Sequence, residues 1–395
     1  MTTISQLEAH GIPVTAMGEG IHETKTVVHD VDQLRSLLDL GLDEQGRQAH
    51  YEAMFAGIQP AATSGDEDLS RRIAAHVVGN AELSAEDRAA IAPAFPLTVH
   101  VAAAPAPVTV SSRYDLSTTD GSMRIASFSS VTLEQGGYFV CESTPLSFTC
   151  ETLTRTGDTG TSDSDFNILG RTGVTPQTPQ PQGAPGQASS GSPGDCTSAG
   201  IAGSSGGPGN PGRNGTDGTA GTHGNNGTPS MQATITISKT LTGSISVYSK
   251  SGAGGAGGPG GAGGPGGAGG NGGNGATCGC TGSAGGSGGD GGQGGNGGAA
   301  GNGGNGVDAA GNVTVRVPNA SDVKNVKTKT DLAPYGAPGH QGPGGQGGAG
   351  GQGGSGGKDN GPGGNGGQGG PGSYGAPGNS GAVTGKAAKI NVMPV

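Results

Sequence analysis

Five cysteines offer this chain its richest side-chain chemistry: Cys141, Cys150, Cys196, Cys278 and Cys280. Thiols in this number can form disulfides, bind a metal or act as redox centres. The spacing argues against zinc. Cys278-Gly279-Cys280 lacks a second pair to complete a tetrahedral set, and no His lies near it. A redox pair or a stapled turn is left, and the surrounding glycine favours the turn. The histidines (His10, His22, His29, His50, His76, His100, His223 and His340) are dispersed. His29-Asp30-Val31-Asp32 sets an imidazole beside two carboxylates, but at a helix start such acids act as caps. His50 and Glu52 are two apart and share no helical face. The glycine runs lack a Gly-Lys-Ser/Thr ending and precede no helix, so they are not phosphate loops. No catalytic residue, metal or cofactor is nominated, and an enzyme is not the expected class.

The elements that position these thiols must be built from an unusual composition. The chain has 89 Gly and 25 Pro among 395 residues and no Trp. Without a period, that much Gly and Pro would signal disorder. Here a three-residue period is present, so order is expected. A net charge of -10 with scattered Lys and Arg gives a nucleic-acid partner no electrostatic support. No run of 18 apolar residues exists, so no membrane span is expected. The first residues show neither a basic start nor an apolar run, so no Sec signal is read. A virion-associated, specially exported or cytoplasmic location all fit.

Residues 1–95 have ordinary composition and helical periodicity. Asp30 caps a helix carrying Val31, Leu34, Leu37 and Leu38. Further helices are expected over 43–56, 66–78 and from Ser84 to before Pro93. This is a small helical docking region. Over 96–170 the period changes to two, with short Val-, Thr- and Phe-rich strands. They suggest a β-solenoid, with a small sandwich as the alternative. Similar strands return at 233–250, 312–330 and 387–393, each bordering a glycine-rich block.

Three blocks, about 171–228, 251–306 and 335–382, leave this β framework and return to it, so each must reverse. The beat breaks near Asp195-Cys196-Thr197, at 276–281 and at Lys358-Asp359-Asn360. Six extended arms result. At roughly 3.1 Å per residue, the longer ones run about 70 Å. Their turns should gather at one end, where Cys196 can pair with Cys278 or Cys280. Cys141 and Cys150 lie in neighbouring strands and can form a second pair.

A strict Gly-Gly-X repeat on a left-handed, three-residue helix leaves two bare faces, and neighbouring backbones can then approach closely. The expected fold class is therefore mixed: a small α-helical region, a short β-rich solenoid-like framework, and over 171–395 a bundle of about six polyglycine-II helices. Such a bundle would have almost no hydrophobic core. Its backbone groups would be satisfied between arms, within one chain, with a homo-oligomer through other regions left open. A collagen-like trimer is the competing structure, but Pro is sparse in the Gly-Gly-X triplets.

The runs Gly-Ala-Gly-Gly-Ala-Gly-Gly-Pro-Gly-Gly and Gly-Gly-Asn-Gly-Gly-Gln-Gly-Gly-Pro-Gly resemble two groups of polyglycine-II proteins over about 183–382. One is the receptor-binding tip adhesins of T-even-like phage tail fibres; the other is the springtail antifreeze proteins. In the adhesins, loops between glycine motifs carry receptor specificity. The resemblance thus implies that Asp195, Cys196, Thr197, Ser198, Thr277, Cys278, Cys280, Thr281, Lys358, Asp359 and Asn360 form a receptor-binding tip. The leading expectation is a structural or adhesive module whose N-terminus attaches to a larger assembly. It meets a cell-surface receptor through the tip. The alternatives are ice binding on the Ala/Pro row from Ala253 to Ala268 and a collagen-like structural role.

Overall fold

A computed structural model describes residues 4–38, 42–56, 67–160, 163–197 and 203–395. Five short α-helices occur among them: α1 (Ile4–Ala9), α2 (Val31–Leu37), α3 (Glu44–Phe55), α4 (Glu67–Val77) and α5 (Ala85–Ile91). Side-chain oxygens of Asp30, Asp43 and Ser84 accept the N–H of Gln33, Gly46 and Asp87, which starts α2, α3 and α5.

The strands follow in chain order. The first eight are β1 (His22–Val28), β2 (Leu97–Ala104), β3 (Val108–Val110), β4 (Arg113–Asp115), β5 (Arg124–Leu133), β6 (Tyr138–Glu142), β7 (Leu146–Arg155) and β8 (Phe166–Leu169). Between the glycine-rich blocks come β9 (Ala233–Thr242), β10 (Ile245–Lys250), the small hairpin β11 (Thr277–Cys278) and β12 (Thr281–Gly282), β13 (Val313–Val317), β14 (Val326–Thr330) and β15 (Ile390–Pro394). An eight-stranded sheet has the order β1-β2-β5-β7-β9-β13-β15, with β3 also on β5; a five-stranded sheet has the order β14-β10-β8-β6-β4. Apart from the β11–β12 hairpin, successive strands from β3 to β15 alternate between these two sheets. Neighbours within each are parallel, except for β1 on β2.

The apolar side chains of both sheets meet in one core. Phe128, Phe139, Phe148 and Phe166 are its aromatic centre, surrounded by Ile235, Ile237, Val247, Val313 and Val315. β2 shows the period of two directly. Ala102 and Ala104 face this core, while Val99, Val101 and Ala103 face a second cluster with Leu7, Val31, Leu37 and Val77 of the helical region.

The glycine-rich arms span 171–194, 204–228, 252–275, 284–306, 334–357 and 361–385, here arms 1 to 6. The outward arms 1, 3 and 5 continue from β8, β10 and β14, and the return arms 2, 4 and 6 lead into β9, β13 and β15. The sheet register passes straight into them. Phe166 faces Val247 and Val247 faces Thr328, and the same separation of 81 residues recurs between Thr175 and Ala256 and between Asn271 and Gln352. On the return side Val313 faces Ile390, and that separation of 77 residues recurs between Asp290 and Gly367 and between Asn302 and Asn379.

Hydrogen bonds between arms repeat every third residue. Gly261 N–H donates to Thr219 O, Gly260 N–H to His340 O and Gly298 N–H to Gly261 O, each at 2.8 Å. Arm 3 thereby bonds arms 1, 2, 4 and 5, and arm 4 bonds arms 2, 3, 5 and 6. Asn and Asp side chains add rungs on the outer surfaces. Oδ1 of Asp217 accepts from Asn296 N–H at 2.7 Å, and Oδ1 of Asn296 accepts from Ser373 N–H at 3.0 Å.

This architecture corrects the expected fold class. The regular structure is mostly sheet, with eight and five strands, and not a bundle of six helices. The arms form no α-helix; their hydrogen bonds run between chain segments. The hydrophobic core lies between the strands, which enclose a continuous apolar interior. The physical reason is that the returning strands pair directly with those of 96–170 instead of only bordering the glycine-rich blocks. Strands some eighty residues apart in sequence join the same sheets, so their β-branched and aromatic residues pool into one core.

Candidate functional site

The turns of the three arm pairs meet at one end. In the first turn, Cys196 bridges to Gly203, and Asp195 N–H donates to Ser204 Oγ at 2.9 Å. The second turn is the hairpin β11–β12, with Cys278 opposite Thr281. Its two-residue link is Gly279-Cys280, and Gly279 has φ 61°, the positive value that the first position of a type II′ hairpin turn requires. In the third turn, Asn360 N–H donates to Gly357 O at 2.9 Å, and Asp359 also has positive φ, at 59°.

Specific bonds join these turns. Cys196 and Cys278 form a disulfide, with Cα atoms 5.6 Å apart. Lys358 N–H donates to Thr277 Oγ1 at 3.1 Å, and Asn360 Nδ2 donates to Gly282 O at 2.6 Å. Ser283, which sequence reasoning passed over, is buried and ties the first two turns together. Its hydroxyl donates to Ser204 O at 2.6 Å and accepts Ala276 N–H at 2.8 Å. The only signal in the sequence was a serine where the glycine beat resumes after the cysteines.

The structure therefore brings Asp195, Cys196, Thr277, Cys278, Thr281, Lys358 and Asn360 to one end with Cys280 and Asp359. Thr197 lies in the same first turn; Ser198 lies outside the described residues. Cys280 is a free, exposed thiol, while Cys278 is buried. Thr277, Cys280, Thr281, Lys358, Asp359 and Asn360 are all exposed.

The expected Cys141–Cys150 pair does not form. Cys141 sits in β6 of the five-stranded sheet and Cys150 in β7 of the eight-stranded one, so strands adjacent in sequence belong to different layers. Both are buried free thiols. Burial pushes the Cys141 thiol up to about 12 and raises Cys150 further, so neither ionises readily.

The acidic start of α2 is structural. Asp30 is the N-cap, and Asp32 pairs with Arg88 and with His76 Nε2 at 3.0 Å, which joins α2 to α4 and α5. The Arg88 hydrogen bond holds the Asp32 carboxyl below its ordinary value. Among the described residues no group of three or more His, Cys, Asp or Glu is placed to hold a metal, and no helix is long and apolar enough to cross a membrane. No protein family, curated protein or solved structure matches the chain.

Proposed function

We propose that this chain is a structural, adhesive module. The helical region attaches to a larger assembly, and the gathered turns meet a cell-surface receptor. The observation that carries the reading is the joining of three sequence-distant turns into one exposed end, held by a disulfide and by Lys358 and Asn360 bonds to the second turn. A loop fixed at both ends loses little freedom on binding, which favours recognition by short polar segments. The arms satisfy one another's backbone groups within one chain, so partner chains of a collagen-like trimer are not needed for them. The reading is tested by screening the chain against immobilised glycans and intact cells, beside a Lys358→Ala, Asp359→Gly variant that keeps the Asn360 bond. Selective loss of binding in the variant, at unchanged melting temperature, is the expected result.

One observation favours ice binding as a second reading. Arms 1, 3 and 5 present a regular surface of Thr172, Thr175, Ala253, Ala256, Pro334 and Ala337, with little charge. Thermal hysteresis measured on the same preparation separates the two: the adhesive reading expects none.

A further inference from the structure

Away from the arms, a cleft of about 330 Å³ lies between helices α2, α3 and α4 and the outer face of the eight-stranded sheet. Its size falls at the lower end of small-molecule sites. The walls are apolar, with Leu34, Ile73 and Val77 from the helices and three methionines, Met54, Met123 and Met231. Methionine adapts its shape to a guest more readily than branched side chains do.

One buried polar group in this cleft lacks a full set of partners. His50 is 0 % exposed; its Nε2 is 3.3 Å from Thr234 Oγ1, and its Nδ1 has no partner. A buried polar atom left unpaired costs free energy, of order 1–3 kcal/mol. The Thr234 hydroxyl can donate or accept, so Nδ1 is free to take the complementary role. Burial, with the positive charges of Arg316 and Arg47, keeps the imidazole neutral. Those guanidinium groups are directed elsewhere: Arg47 donates to Gly79 O and Val77 O, and Arg316 to Pro394 O.

We infer that this cleft binds a small, uncharged, largely apolar molecule against its methionine-rich walls, beside the neutral His50 ring. A cation would be repelled by the two arginines. An anion would have to enter an apolar cleft whose polar contact is a neutral ring. The inference is independent of the adhesive reading, since no residue of the arm turns is involved.

The test uses the full chain and N-phenyl-1-naphthylamine, a neutral naphthalene with one N–H. Its comparison is 8-anilino-1-naphthalenesulfonate, the same skeleton with a negative charge. Fluorescence titration should give saturable one-to-one binding of the neutral probe, at least tenfold tighter than the sulfonate. Ala74→Phe, which adds a ring to the cleft wall, should abolish it. A readout on the unaltered sequence guards against a variant that fails to fold. With ¹³C-methyl methionine, ring currents of the neutral probe should shift Met54, Met123 and Met231 while Met393 on β15 stays in place. With ¹⁵N-histidine, the Nδ1 resonance of His50 should move. Absence of saturable binding, equal or tighter binding of the sulfonate, or binding that leaves the three cleft methionines unshifted would overturn the inference.

Discussion

Cys196 and Cys278 are covalently joined across a sequence separation of 82 residues. The bond closes a loop containing two whole arms, β9 and β10, and so restricts the unfolded chain. Disulfides of this kind typically contribute roughly 2–4 kcal/mol. Native alkylation with iodoacetamide near pH 8 should therefore modify Cys280 alone, because the other two free thiols are buried and resist ionisation. Peptide mass mapping reads the site. Reduction beforehand should add label at Cys196 and lower the denaturation midpoint. Labelling of Cys141 or Cys150 in the folded chain would contradict their burial.

Glycines within the arms should differ sharply in tolerance. A Cβ on Gly291 would overlap the backbone oxygen of Gly348, whereas at Gly364 nothing lies within 4 Å. Gly364→Ala should be neutral or stabilising by up to about 1 kcal/mol, through loss of unfolded-state freedom. Gly291→Ala must push arms 4 and 5 apart and should destabilise by more than about 2 kcal/mol. Urea unfolding of the two single variants compares them directly. Equal midpoints would refute the close approach of these arms.

Stability should fall with acid in a window set by His50. Burial first, and the charges of Arg316 and Arg47 second, lower its folded-state pKa to about 3 from 6.5. Between those values the unfolded chain binds the proton and the folded chain does not, so unfolding becomes easier as pH drops. The contribution is complete above the unfolded pKa and is lost progressively as pH falls from about 6.5 towards 3. It is on the order of 5 kcal/mol across the window. Denaturation at pH 7 and pH 4 should show a smaller difference for His50→Gln than for the original sequence.

The arms should depend on the core that anchors them. Phe148 is 0 % exposed, with its ring centroid 5.0 Å from that of Phe166 and 5.2 Å from that of Phe139. Phe148→Ala should cost roughly 3–5 kcal/mol. Hydrogen exchange at Gly261 and Gly298, whose N–H groups bond neighbouring arms, should accelerate with it. Exchange unchanged in the arms would show that they hold together without the sheets.

The sequence made some of this legible and hid the rest for identifiable reasons. Asp30 and Ser84 were readable as helix caps because capping is local. The arm reversals were readable because a broken three-residue beat needs no tertiary knowledge. β1 was missed: His22–Val28 alternates polar and apolar residues only weakly and gains its place by pairing with β2. The joining of β8, β10 and β14 into one sheet was also hidden, because each strand is short and its partners lie 81 residues away. The glycine arms were legible as excursions from a β framework, but not the two sheets, parallel apart from β1 on β2, between whose strands they run. The same layering separates Cys141 from Cys150, although their strands are consecutive. At the gathered turns, Cys196 and Cys278 stood out by type, but Ser283 did not, since a serine in a glycine-rich run gives no hint of burial.

The most direct test of the adhesive account uses the exposed thiol of Cys280 as a handle on the gathered turns. Coupling a polyethylene glycol maleimide to Cys280 covers that end and leaves the helical region and the sheets untouched. Binding of the coupled and uncoupled chains should then be compared on the glycan and cell panel. The account predicts that the uncoupled chain binds at least one surface and that coupling abolishes this binding with no change in melting temperature. Undiminished binding after coupling, or no binding by the uncoupled chain to any member of the panel, would contradict it.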